Sequence, residues 1–80
     1  MSMRIVIGNL PEDVDEEGIR EALSPFAPVE AIKLVHESGA PTAVIELETT
    51  RAYADQLANR IRGRVYQGKP LNAWVPTMDW

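Results

Sequence analysis

Few side chains in this 80-residue chain can do covalent chemistry. The single histidine, His36, stands near the end of an apolar stretch and reads as a solvated residue rather than a general base. Ser24 and Ser38 lack the setting of a nucleophile elbow. Cysteine is absent, which removes thiolate nucleophiles, disulfides and cysteine metal sites. Asp13, Asp15 and Glu17 alternate as calcium ligands do, but the glycine and closing glutamate of a calcium loop are missing at the required spacing. No glycine-rich phosphate loop is present. The expectation is a non-enzymatic protein with no metal and no cofactor.

What remains is recognition by charge and by apolar surface. The net charge is −4, which counts against nucleic-acid binding driven by bulk charge. The charge is unevenly spread. Six of the acids lie between Glu12 and Glu21, and five of the eight bases lie between Arg51 and Lys69. Two solvated helix faces of opposite sign explain this, as does a partner that meets one of them. No apolar run approaches the roughly 18 residues of a membrane span, and no signal-peptide pattern opens the chain. A cytoplasmic location is the default expectation, with no membrane partner.

The elements that must position these residues follow from periodicity. Arg4 to Ile7 is a β-branched run stopped by Gly8, Asn9 and Pro11, and reads as a strand. Asp15 caps a helix whose first turn carries Glu16 and Glu17, where the dipole favours acids. Ile19, Ala22, Leu23 and Phe26 share one face of that helix, and Pro25 and Pro28 end it. Val29 to His36 and Thr42 to Leu47 read as strands joined by a turn over residues 37–41, which predicts a hairpin. Thr49 or Thr50 caps a second helix, with Ala54, Leu57, Ala58 and Ile61 on its buried face and Gly63 as its stop. A turn at Gly68 and Pro70 leads into a last strand over Leu71 to Val75. The order β-α-β-β-α-β predicts an α+β, ferredoxin-like fold: a four-stranded antiparallel sheet with both helices on one face. Residues 1–76 form a single domain, and residues 77–80 are a loose tail.

These residues resemble the RNA recognition motif family. Ile5-Val6-Ile7-Gly8-Asn9-Leu10-Pro11 resembles the family's first-strand motif, and Asp15 through Phe26 is similar to its first helix. Gly63 followed by Gly68-Lys69-Pro70-Leu71 is similar to its entry into the last strand. The resemblance implies single-stranded RNA as ligand, stacked on aromatic side chains of the exposed sheet face. This chain departs from the pattern there. Val6, Thr42 and Val44 stand at the three aromatic positions, and Ala40 replaces the basic residue that opens the third-strand motif. Stacking contributes about 1–3 kcal/mol per base, so the missing rings remove roughly 3–6 kcal/mol or more. The implied RNA binding is therefore weak and non-canonical.

Strand alternation sorts the remaining side chains by face. Ile5, Ile7, Val29, Ile32, Leu34, Ala43, Ile45, Leu47, Leu71 and Ala73 should meet the helices. Arg4, Val6, Gly8, Ala31, Lys33, Val35, Thr42, Val44, Glu46, Asn72 and Trp74 should point away. On the RNA reading, Trp74 stacks a base, Arg4, Lys33 and Asn72 handle phosphates or base edges, and Val6, Thr42 and Val44 floor the site. An apolar face also fits a protein partner or a homodimer through Val35, Val44 and Trp74. A third reading has Trp74 packed under the tail. Arg64-Val65-Tyr66, in the loop from Gly63 to Lys69, is similar to the Arg-x-Phe loop of a protein-binding subclass that captures a tryptophan, which makes Arg64 and Tyr66 an alternative protein site. Trp80 is a candidate occupant of that site.

Overall fold

The computed structural model describes residues 2–36, 39–66 and 68–76. Eight elements follow in order: β1 (Ser2–Gly8), α1 (Glu16–Leu23), β2 (Val29–Val35), β3 (Thr42–Glu48), α2 (Arg51–Ile61), β4 (Val65–Tyr66), β5 (Lys69–Pro70) and β6 (Asn72–Trp74). One antiparallel sheet has the order β2-β3-β1-β6, and β4 and β5 form a separate small ribbon. The α+β, ferredoxin-like arrangement is the one the sequence predicts.

β1 is longer than its β-branched run because the partner strand extends it. Its pairing with β3 runs from Ser2 opposite Glu48 to Ile7 opposite Ala43. It ends at Asn9, a non-glycine residue at φ 62, a conformation in which asparagine is enriched. The Asn9 side-chain amide donates to the Pro70 carbonyl at 2.7 Å, tying the end of β1 to the small ribbon.

The Asp15 carboxylate accepts from the Gly18 backbone N–H at 2.8 Å and caps α1 as expected. The helix stops sooner than its apolar spacing predicts. Ser24 closes it, its backbone N–H and its hydroxyl both donating to the Arg20 carbonyl, and Pro25 has no N–H to extend the ladder. Phe26 therefore leaves the helical face and is 41% exposed, while Ala27 takes the buried position. Ala22 is also exposed. Of the two candidate caps for α2, Thr50 is the one used: its hydroxyl accepts from the Tyr53 N–H at 3.2 Å. Gly63, at φ 85, follows the end of that helix.

The core lies between the sheet and the helices. Ile5, Ile7, Ala43, Ile45, Leu47 and Ala73 come from the strands, and Ile19, Leu23, Ala54, Leu57 and Ala58 from the helices. Val29, Ile32, Leu34 and Leu71 pack against it, as alternation predicts. A register shift between Val29 and Ala31 adds one residue to β2. At the β6 edge, the Arg62 Nε donates to the Ala73 carbonyl at 3.0 Å and its Nη1 to the Asn59 side chain at 2.8 Å. Among the described residues no helix is long and apolar enough to cross a membrane, and no group of acids and histidines could hold a metal ion. The tail over residues 77–80, Trp80 included, lies outside the described residues, as does Ser38.

Candidate nucleic-acid interface

The sheet face away from the helices is built from cross-strand rows. Lys33 opposes Val44, Val44 opposes Val6, and Val6 opposes Trp74. These four residues form one line across β2, β3, β1 and β6. At ~4.8 Å between strands, the line is roughly 14 Å long. Towards one end of the strands, Val35 opposes Thr42 and Gly8 opposes Asn72. Towards the other, Glu46 lies between Ala31 and Arg4, and Ser2 opposes Glu48. Alternation thus brings Arg4, Val6, Lys33, Val35, Thr42, Val44, Asn72 and Trp74 to a common face.

Their exposure separates them by role. Lys33 and Asn72 are exposed, and Thr42, Val35 and Val44 are half-buried. Trp74 is 37% exposed, and its indole leans over Gly8: a Cβ built there would meet the ring at 3.7 Å. Val6 differs from the expectation. It lies outside the core cluster, yet it is 0% exposed. It forms a sealed floor of the row and offers no contact surface. Among the described residues the face therefore has one ring, a cation at the opposite end of the same row, and short polar groups beside them. Trp74 can stack a single base, and Lys33 can meet a phosphate across the row.

The other candidate residues do not share this face. Arg64 and Tyr66 line a groove on the helix side, with a volume of 390 Å³. They point the same way because they are two apart along an extended segment. The groove's apolar lining includes Leu10, Val14, Ala22 and Phe26 from the α1 side and Leu57 and Ile61 from α2. Asp13 and Asp15 come from the α1 side, and Arg60 and Arg64 from the α2 side. The two alternative protein sites of the sequence reading thus lie on opposite sides of the sheet.

Sequence reading misses two parts of this groove. Ala22 and Phe26 belong to its lining rather than to the core, Phe26 because α1 ends at Leu23. Arg64-Val65-Tyr66 is more than a loop, since Val65 and Tyr66 pair with Pro70 and Lys69. The available signal is the two-residue connection ending in Gly68, a hairpin pattern.

With the fold and both surfaces defined, the class of protein is an antiparallel sheet that carries a recognition face. The sequence matches the RNA recognition motif over residues 5–72, and the chain belongs to that family. Solved structures agree in fold. The MEC-8 C-terminal RRM domain bound to AGCACA is similar over 99% of this chain and 95% of its own, with a TM-score of 0.78 and 17% identity. The Plasmodium falciparum SR1-RRM1 in complex with ACAUCA RNA is similar over 95% and 85%, with a TM-score of 0.73 and 27% identity. The C. elegans NONO-1 homodimer matches over 94% of this chain but 29% of its own, with a TM-score of 0.77 and 28% identity. No curated protein matches the chain in sequence.

Proposed function

We propose that the protein binds single-stranded RNA on its sheet face, as a binding module rather than an enzyme. Family membership supports RNA as the ligand, and a similar domain, the Plasmodium falciparum SR1-RRM1, is described in complex with RNA. The observation that carries the reading is the row Lys33–Val44–Val6–Trp74, with a ring at one end and an ammonium at the other. Trp74 stacks one base, Lys33 meets a phosphate, and Asn72 and Thr42 offer hydrogen bonds to base edges. With one ring in place of the usual set, binding is weak and salt-sensitive. Titration with short mixed-sequence single-stranded RNA at low salt tests this through Trp fluorescence and amide shifts. Shifts clustered on Lys33, Val44, Asn72 and Trp74 that fade with added salt are expected. An RNA-independent spectrum would rule the reading out.

One observation favours a second reading. The groove between α1 and α2 is apolar, with acids on one side and guanidinium groups on the other. Pockets of this kind are the default small-ligand or anchor sites of a domain. On this reading the groove takes an apolar side chain from a protein partner, held by Arg64, Tyr66 and Phe26. A partner whose capture survives Trp74→Ala and is lost on Tyr66→Ala would assign it to the groove.

A further inference from the structure

An ion pair sits within the candidate RNA face. Arg4 on β1 and Glu46 on β3 are cross-strand partners, with Arg4 Nε 4.0 Å from Glu46 Oε2. Their side chains are 39% and 37% exposed, so a bound strand can reach either. They lie two residues along the strands from the Lys33–Trp74 row, a step of roughly 6.6 Å. Glu46 faces outward because its neighbours Ile45 and Leu47 are committed to the core. Two further carboxylates stand nearby. Glu48 opposes Ser2 in the next row, and Glu30, within the register shift of β2, accepts a hydrogen bond from the Ser2 hydroxyl.

We propose that Glu46 competes with RNA phosphate for Arg4. It thereby lowers the affinity of the sheet face and confines the bound strand to the Lys33–Trp74 row. The inference rests on the sheet-face reading above. A phosphate that engages Arg4 competes with Glu46 for the guanidinium and meets the neighbouring carboxylate as a like charge. Glutamine at this position keeps the length of the side chain and removes both penalties. Glu46 is thus a positioning residue that acts on RNA through Arg4.

The test compares the whole chain with Glu46→Gln, Arg4→Ala, the double variant and Trp74→Ala. The probe is a short mixed-sequence single-stranded RNA, titrated across a range of salt. Glu46→Gln is expected to bind roughly three- to tenfold tighter at low salt, consistent with release of an exposed pair and its repulsion. Its plot of log affinity against log salt is expected to steepen by about 0.7, one additional phosphate contact on a single strand. The gain should vanish in the Arg4→Ala background, because it passes through that residue. Glu46→Thr, a second neutral variant suited to a strand, should reproduce the gain if glutamine disturbs the fold. Unchanged affinity, or an equal gain without Arg4, overturns the role of Glu46. Wild-type binding that responds to Trp74→Ala but not to Glu46→Gln leaves the sheet-face reading standing. No RNA binding by any of the folded proteins overturns both.

Discussion

The two faces of this sheet solve recognition differently. The outer face is shallow and chemically mixed: a floor made of Val6, one partly exposed ring, and charges arranged in rows. The helix-side groove is an apolar cavity of 390 Å³, with Asp13 and Asp15 on the α1 side and Arg60 and Arg64 on the α2 side. The first arises from regular strand alternation. The second arises from an interruption, where α1 ends early and Phe26 faces the groove instead of the core. A regular pattern gives an extended surface suited to a strand-like ligand, whereas a broken one leaves a pocket suited to a single side chain.

Substitutions separate the two surfaces, and the largest expected effect is on stability. Val6→Ala should cost about 1.5–3 kcal/mol in urea denaturation, as a buried aliphatic does, although Val6 lies on the outer face. Val44→Ala, half-buried in the same row, should cost less. Equal costs would mean that Val6 is not a sealed floor. Trp74→Ala should weaken RNA binding by about 1–3 kcal/mol, the contribution of one stacked base, and leave any groove ligand unaffected. Asp15→Ala should destabilise the protein by about 0.5–2 kcal/mol through loss of the α1 cap. Hydrogen exchange should then rise at the start of α1, on the groove side, while the outer face keeps its protection. Lys33→Ala should flatten the salt dependence of RNA binding by about 0.7 while leaving the melting curve within ~0.5 kcal/mol of wild type. A uniform response of both surfaces to any of these changes would show that they are not independent.

Much of this arrangement was legible in the sequence because a period of two assigns direction. It placed Ile5, Ile45 and Ala73 in the core and Arg4, Lys33, Asn72 and Trp74 on the far face. Direction does not determine cover, so the complete burial of Val6 was not legible. Helical spacing placed Phe26 on a buried face, but the Ser24–Pro25 stop outweighs that spacing. The strands β4 and β5 have two residues each, too few for any period to register. The groove depends on these last two features together, which is why Arg64 and Tyr66 were visible as residues and their pocket was not.

The Arg62 side chain has a consequence beyond either site. β6 is a three-residue strand at the margin of the sheet, where unpaired backbone groups can recruit a strand from another molecule. By donating to the Ala73 carbonyl, Arg62 occupies an acceptor that such a strand would need. It also sets a fixed positive charge against the incoming backbone. The same guanidinium that joins the end of α2 to the sheet therefore makes this edge a poorer template for a strand from another molecule.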